Sequence, residues 1–362
     1  MGELRLMKGN EAVAEAAIRA GCDGYFGYPI TPQSEVMEYL MAEKPYERTG
    51  MVVLQAESET ASINMLYGGA GTGKMVMTSS SSPGISLMQE GISYMAGAEL
   101  PAVIVNITRG GPGLGTIQPS QADYFQAVKG GGHGDYKMLV LAPSSVQEMC
   151  DHVKLAFDKA FEYRTPVMIL SDGAIGQMME KVVLFDQIPR RTDEEVIKQC
   201  PWASTGRPKT RNHNIITSLD LDPAGQERVN LKLQAKYKLM EKNEVLYEEI
   251  QCEDADYLFV AFGLSARICQ KALDLARAKG IKVGLFRPIT LFPFPAIEVS
   301  NVGNRVKGIL VVEMNAGQMI EDVKLSVGCK VKIEHYGRFG GIIPSPDEVV
   351  NALEQQIIGG KS

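Results

Sequence analysis

Four short segments in the first half gather the side chains best suited to chemistry. They are Tyr28-Pro29-Ile30-Thr31, Glu57-Ser58-Glu59, Ser79-Ser80-Ser81-Ser82-Pro83-Gly84 and Arg109-Gly110-Gly111-Pro112-Gly113. Together they offer a hydroxyl, two carboxylates, a run of hydroxyls and a guanidinium. A carboxylate is a proton-transfer group, and a planar guanidinium fork suits a carboxylate partner. Thr, Ser and Glu also favour helix starts, so each residue alone reads as an ordinary cap or loop residue. Their joint placement argues for a site, because each segment follows an apolar run that reads as a strand.

Those runs alternate with helical patterns. Strands are expected over 24–28, 51–56, 75–78, 102–108, 138–142 and 166–171. Helices are expected over Glu11–Ala20 with Asn10 as its cap, from Thr31-Pro32 to about Lys44, through Ser58–Tyr67, over Ile85–Ala96 and over Ser145–Phe161. Repeated strand–helix alternation implies a parallel sheet covered on both faces. In such sheets ligands sit beyond the carboxyl ends of the strands, where all four segments lie. Residues 186–252 differ: they are polar and irregular, then form a long charged helical pattern over Gln226–Gln251. The alternation resumes with strands at 257–262, 282–286 and 309–313, and helices over Ser265–Lys279 and from Gln318. The expected organisation is a first α/β unit over 1–185, a connecting stretch over 186–252 and a second α/β unit over 253–362.

Several other readings fail. Gly68–Met75, GGAGTGKM, nearly matches a phosphate-binding loop, but Met75 replaces the Mg²⁺-binding hydroxyl. The segment also leaves a helix and enters a strand, the reverse of the required context. A non-catalytic nucleotide-binding or assembly module built on it is therefore only a distant alternative. There is no dinucleotide fingerprint after the first strand and no nucleophile elbow. The sequon Asn106-Ile107-Thr108 falls in an expected buried strand. The four histidines lack ligand spacing; His152 reads as structural, and only His133, in a glycine-rich loop, looks functional.

Composition narrows the class further. Of 362 residues 45% are apolar, which supports real cores, and the net charge of −6 argues against a phosphate-backbone binder. The six cysteines never form a Cys-x-x-Cys pair, so zinc-knuckle, iron–sulfur and thioredoxin chemistry are not expected on this chain. No apolar run reaches membrane-spanning length, so a cytoplasmic, non-membrane protein is expected.

At the strand ends the sequence resembles a known family. FGYPITPQSE, LQAESETASINMLYGGAGTGK, MTSSSSPGISLMQEGISYMAGAELP and VNITRGGPGLGTIQPSQADYFQAVKGGGHGDY are similar to the alpha subunit of 2-oxoacid:ferredoxin oxidoreductases. VAFGLSARICQKALDLARAKGIKVGLFRPITLFPFP and ILVVEMNAGQM resemble that family's transketolase-C-terminal-like domain. The resemblance covers essentially the whole chain. It implies an α/β fold in which 1–185 is a thiamine-diphosphate pyrimidine-binding domain and 253–362 the smaller supporting domain. Among subtypes, SSSSPGISLMQEGISY and RGGPGLGTIQPSQADYFQA look most like the branched-chain (3-methyl-2-oxobutanoate) type, with the 2-oxoglutarate type as the alternative.

The resemblance implies roles for particular residues. Glu59, in the Ser58-Glu59 motif, would hydrogen-bond N1′ of the aminopyrimidine, with Glu57 as its rival. Thr31 would contact substrate and cofactor, and Pro29 and Ile30 would present backbone to the pyrimidine. Arg109 would hold the 2-oxoacid carboxylate, and Ser81 and Ser82 would line the same pocket. Gln121, Asp123 and His133 are weaker candidates for supporting or subunit-contact roles. The family's diphosphate and Mg²⁺ motif, Gly-Asp-Gly followed by an Asn, has only Ser171-Asp172-Gly173 as a counterpart, with no Asn until Asn212. The resemblance thus implies that this chain binds no metal. The Mg²⁺ and diphosphate site would lie on a beta subunit, and the iron–sulfur clusters on gamma and ferredoxin-like subunits. The implied reaction consumes a 2-oxoacid and coenzyme A and passes electrons to ferredoxin.

Overall fold

Continuous apolar runs bounded by turn residues set the strands, and amphipathic stretches set the helices between them. The computed structural model describes residues 2–207, 209, 211–328 and 330–359. The first unit opens with β1 (Glu3–Lys8), α1 (Gly9–Arg19), β2 (Gly24–Gly27), α2 (Ser34–Glu43), α3 (Pro45–Thr49) and β3 (Val52–Gln55). It continues through α4 (Glu59–Gly71), β4 (Val76–Ser80), α5 (Ser82–Gly97), β5 (Ala102–Thr108), α6 (Tyr124–Val128) and β6 (Leu139–Leu141). It closes with α7 (Val146–Tyr163), β7 (Pro166–Asp172), α8 (Gly173–Gln177) and β8 (Met179–Leu184). After α9 (Asp193–Gln199) and α10 (Pro223–Asn243) come β9 (Tyr247–Ile250), β10 (Tyr257–Val260), α11 (Gly263–Ala278), β11 (Val283–Pro288) and β12 (Thr290–Phe292). The remainder is α12 (Ala296–Gly303), β13 (Gly308–Glu313), α13 (Met319–Val327), β14 (Lys332–Gly337) and α14 (Pro346–Ala352).

The main sheet has the order β12-β6-β7-β5-β4-β2-β3. Its pairs are parallel except β12 with β6. Every residue of β5 and β7 is buried, as expected for central strands covered on both faces. Right-handed crossovers decide which face each helix takes. The β2→β3 and β6→β7 connections run one way across the sheet, and β3→β4 and β4→β5 run the other. Accordingly α1 packs with α2 and α7, and α4 packs with α5. The direction reverses between the adjacent strands β2 and β4, which creates a topological switch point at their carboxyl ends.

The second sheet has the order β14-β13-β10-β11-β9, with only β9 antiparallel. It starts with β9, inside the stretch read as a connection, so the charged helix ends at Asn243 rather than near Gln251. β12 departs in the other direction: although it follows β11, it pairs with β6 at the edge of the main sheet. β1 and β8 form an antiparallel ribbon that local periodicity did not reveal. Among the described residues no helix is long and apolar enough to cross a membrane.

Two expected helix starts move. Lys8, not Asn10, precedes α1. Asn10 is fully buried inside the helix, where its amide donates to Pro32 O at 2.8 Å and Glu35 Oε2 at 2.9 Å. A buried amide is worth more as a tertiary tie than as a cap. Thr31 does not cap α2 either, because residues 30–33 form a turn, closed by Gln33 N–H to Ile30 O at 2.9 Å, and α2 begins at Ser34.

Gln121 fastens the two units. Its N–H donates to Met314 O at 3.0 Å, and its Nε2 donates to Phe262 O at 2.8 Å. Its Oε1 accepts from Ser265 Oγ at 2.7 Å and from Met314 N–H at 3.0 Å. Gln121→Ala strands the side-chain partners Phe262 O, Ser265 Oγ and Met314 N–H, and should cost about 3 kcal/mol. A thermal melt unchanged from the parent protein would remove this role.

Candidate functional site

The switch point brings two of the four segments together through hydrogen bonds. Tyr25 OH and Ser79 Oγ are 2.7 Å apart, joining β2 to β4, and Ser79 Oγ donates to Gln33 Oε1 at 2.6 Å. Gln33 Nε2 in turn donates to Tyr28 O at 3.1 Å, which shapes the Tyr28–Thr31 turn. Arg109, just past β5, then reaches across: its Nη1 donates to Thr31 O at 2.8 Å and its Nη2 to Leu114 O at 3.1 Å. Arg109 is 7% exposed, and its Nε is buried without a partner. A guanidinium has five N–H donors, so a cation out of water retains donors for an anionic ligand. Thr31 itself is exposed, as is Pro29, while Ile30 is half-buried.

The two candidate carboxylates separate. Glu57 is exposed, whereas Glu59 is 7% exposed in the first turn of α4, behind the Ser58 cap whose Oγ accepts from Ala61 N–H at 3.1 Å. The carboxylate of Glu59 has no hydrogen-bond or ion-pair partner among the described residues. It faces the first turn of α5, where a Cβ on Gly84 would fall 2.7 Å from Glu59 Oε1 and 2.1 Å from Ser80 Oγ. Only glycine leaves room for that approach. The hydroxyls of Ser80 and Ser81 are likewise buried without partners. Buried polar groups are normally satisfied, so this collection of open donors and acceptors is available to a ligand.

Ser82 starts a different network. Its N–H donates to Asn106 Oδ1 at 3.1 Å, and its Oγ accepts from Arg109 N–H at 3.0 Å. Asn106 Nδ2 donates to Asp123 Oδ2 at 2.9 Å. Burial raises the pKa of Asp123, against the opposing hydrogen bonds from Ser82 and Asn106. Ser82, Arg109 and Asp123 line a cavity of about 810 Å³ completed by residues of the second unit, Asn315, Ala316, Gln318, Phe339 and Gly340. Glu59, Thr31 and Ser81 are not among its lining residues. Asn106 was missed in the sequence, although one polar residue in the otherwise apolar run AVIVNIT was a usable signal. The contribution of the second unit had no local signal.

His133 lines another cavity, with Tyr67, Tyr94 and Asn230 among its walls. Gly68–Met75 passes from α4 into β4, and Lys74 Nζ is ion-paired with Asp193 Oδ1 at 2.6 Å. Cys22, Cys150, Cys200, Cys252 and Cys269 are buried and unpaired, and Cys329 lies outside the described residues. Burial pushes the Cys252 thiol up to about 11, which suits a packing role.

Asp172 is committed elsewhere. Its Oδ1 accepts from Ala174 N–H at 2.9 Å and Ile175 N–H at 3.2 Å, and the carboxylate also accepts from Leu264 N–H of the second unit. Burial still outweighs these bonds and raises its pKa from 3.8 to about 6. An acid with a raised pKa holds its proton more tightly when folded, so stability falls as pH climbs from about 4 through about 6. Asp172→Asn should flatten that slope, gaining about 3 kcal/mol over the parent protein on going from pH 4 to pH 7. Parallel denaturant titrations check this, and curves of equal slope for both proteins would refute it.

Comparison with known proteins bears on what such a site serves. Residues 15–239 match the family described as "Pyruvate flavodoxin/ferredoxin oxidoreductase, thiamine diP-bdg". Residues 255–349 match "Pyruvate:ferredoxin oxidoreductase core domain II". The ketoisovalerate oxidoreductase subunit VorB of Methanothermobacter marburgensis is 49% identical over 361 residues, covering 99% of both chains. The 2-oxoglutarate synthase subunit KorA of Archaeoglobus fulgidus is 37% identical, covering 98% of this chain and 100% of that one. Among solved structures, the 2-oxoglutarate:ferredoxin oxidoreductase of Magnetococcus marinus, with 2-oxoglutarate, coenzyme A and succinyl-CoA bound, superposes with a TM-score of 0.85 at 29% identity. That match covers 98% of this chain and 66% of the other. A split-gene transketolase shares the fold, with a TM-score of 0.60 at 13% identity over 97% of this chain and 98% of the other.

Proposed function

This chain belongs to the 2-oxoacid:ferredoxin oxidoreductase family, and from there we propose that it is the alpha subunit of a heteromeric, thiamine-diphosphate-dependent enzyme of the cytoplasm. The complex takes a branched-chain 2-oxoacid, coenzyme A and oxidised ferredoxin to acyl-CoA, CO₂ and reduced ferredoxin. The observation that carries this reading is Arg109, a buried cation with unspent donors that lines a cavity and is tied to the Thr31 turn.

The relatives' names divide between ketoisovalerate and 2-oxoglutarate, and the charges around the cavity favour the first. A 2-oxoglutarate molecule carries a second carboxylate. Among the described residues lining the cavity Arg109 is the sole cationic side chain, and Asp123 stands in the same wall. A second carboxylate there would be desolvated without a partner, which is costly.

The residues of this chain fit the pyrimidine half of thiamine diphosphate, because Glu59 is buried with an open carboxylate that converges with the open Ser80 hydroxyl on Gly84, and the Ser81 hydroxyl is also buried without a partner. When bound, the cofactor supplies the nucleophilic carbon and accepts the electron pair released on decarboxylation. Glu59 holds the proton shared with N1′ of the aminopyrimidine. Pro29, Ile30 and Thr31 would flank the ring, Ser81 would offer its open buried hydroxyl to the cofactor, and Ser82 lines the cavity with Arg109. Arg109 takes the substrate carboxylate through its free N–H donors and orients the keto carbon.

The Mg²⁺ and diphosphate site we assign to a beta subunit, since Asp172 is already spent on backbone N–H groups. The clusters we assign to gamma and ferredoxin-like subunits. The test is co-purification of the complex, followed by a 2-oxoacid panel with a viologen acceptor. The expected result is the highest kcat/KM on 3-methyl-2-oxobutanoate. A preference for 2-oxoglutarate would replace the substrate, and no reduction with any 2-oxoacid would end the reading.

A further inference from the structure

The cavity beside Arg109 has polar residues whose groups are mostly spent within the protein. Asn315 Nδ2 donates to Gln121 O at 2.9 Å and to Glu313 Oε2 at 2.9 Å, and its Oδ1 accepts from Gly317 N–H at 2.8 Å. Gln318 Oε1 accepts from Phe125 N–H at 2.8 Å, and its Nε2 donates to Ala122 O at 2.8 Å. Both Asn315 donors are thereby spent, whereas Gln318 keeps one N–H open. What remains is open N–H donors at Arg109, the Asp123 carboxylate tied to Asn106, one Gln318 N–H, and an apolar wall that includes Pro83, Pro112, Ala122, Ala316 and Phe339. A cavity so polarised suits a molecule with a carboxylate at one end and hydrocarbon at the other.

Phe339 stands out in that wall. It is 66% exposed, an aromatic ring with little of the chain packed on it. It sits in the loop after β14, and the backbone holds that loop closely. Gly340 and Gly341 take left-handed conformations, at φ +67° and +91°. A Cβ on Gly341 would fall 2.3 Å from Gln118 Cβ, and a Cβ on Gly110 would fall 3.0 Å from Gly341 N. Gly110 and Gly341 thus let the loop of the second unit seat directly against the Gly110–Gln118 loop that carries Leu114, the Arg109 partner. At the loop's start, the Arg338 guanidinium is paired with the Glu348 carboxylate. The ring is held in place at its backbone while its faces stay open, as for a group that packs on a ligand.

We propose that Phe339, delivered from the second unit by this glycine-pinned loop, is a specificity-determining residue that packs against the branched hydrocarbon end of the 2-oxoacid whose carboxylate Arg109 holds. The proposal rests on the reading of this chain as a 2-oxoacid oxidoreductase subunit. It gives the second unit a direct part in substrate choice. It also places the discriminating contact 230 residues along the chain from the carboxylate contact, Arg109 to Phe339.

The test uses the assembled complex carrying Phe339→Ala or Phe339→Leu, with 3-methyl-2-oxobutanoate and pyruvate as paired substrates. Phe339→Ala should lower the ratio of kcat/KM for the branched acid over pyruvate by about tenfold or more, the scale of a lost hydrocarbon contact in an apolar pocket. Phe339→Leu, which keeps an apolar side chain, should retain most of the ratio. A second readout avoids turnover: calorimetric binding of 3-methylbutanoate to the complex without coenzyme A should weaken about tenfold in Phe339→Ala, while acetate binding stays unchanged. An equal change for both acids, no change, or an effect confined to the KM for coenzyme A would overturn the proposal. A parent complex active on the branched acid with an unmoved ratio in the variant sinks only this assignment. A parent complex inert toward every 2-oxoacid sinks the underlying reading and this assignment with it.

Discussion

Glu59→Gln in the assembled complex should lower turnover by about 10²-fold or more, with no loss of stability. Glutamine keeps the length of the side chain and the first turn of α4. It removes the one property the site requires, a carboxyl that can hold or release a proton toward N1′ of the pyrimidine. Among the described residues the buried carboxylate has no hydrogen-bond or ion-pair partner, so neutralising it exposes no orphaned cation there. A buried charge without a partner is a cost to folding, and the variant should melt at the same temperature as the parent or above it. Loss of activity with retained or raised stability separates a chemical role from a structural one. Glu57→Gln is the internal control, because Glu57 is exposed two residues away; its turnover should stay within about threefold, as surface substitutions perturb little. Near-normal turnover in Glu59→Gln would remove that residue from the chemistry.

Arg109→Ala should raise the KM for the 2-oxoacid by about 10²-fold or more, since each charge-assisted hydrogen bond to a carboxylate contributes about 1.5–3 kcal/mol. If the contact forms in the ground state, kcat falls less than kcat/KM does. Arg109 also holds the carbonyls of Thr31 and Leu114, so the alanine variant loosens the turn as well. Arg109→Lys distinguishes the two effects. It keeps the positive charge but loses the planar fork, and should sit between the parent and the alanine variant in KM. Unchanged KM and kcat in Arg109→Ala would take the residue out of the site.

Much of the main sheet was legible because a parallel strand leaves a local mark. The run Ala102–Val105 is apolar on both faces, and the run Pro166–Leu170 likewise, so their burial could be read without knowing their neighbours. The helix after Ser145 announced itself in the same way: Ser145 Oγ accepts from Glu148 N–H at 3.1 Å as a cap. The errors fell where a tertiary partner outbid a local preference. Asn10 is a good cap residue by type, yet it lies inside α1 because Pro32 O and Glu35 offered a buried amide two partners. Thr31-Pro32 has the form of a helix start, yet Gln33 closes a turn there first. The β1–β8 ribbon joins residues at opposite ends of the first unit, and nothing in either strand names the other.

The site divides along the same line. By itself the sequence determined which residue types stand at the strand ends, because motif and turn chemistry are short-range. Residue type alone did not separate Glu57 from Glu59, and only the family motif favoured Glu59. Two residues apart in an extended entry to a helix, they carry the same functional group, and only the fold left one in water and turned the other toward Gly84 and Ser80. Nor could it join Arg109 to Thr31 O, since that bond spans 78 residues and exists because the β2 and β4 connections leave the sheet in opposite directions. Asn106 and Asp123 became partners only once β5 and the loop after it were folded together. Phe339 reached the cavity only when a second sheet docked on the first. Chemistry-bearing groups are encoded locally, but their convergence depends on strand order, crossover hand and the docking of two units, and those are properties of the packed chain.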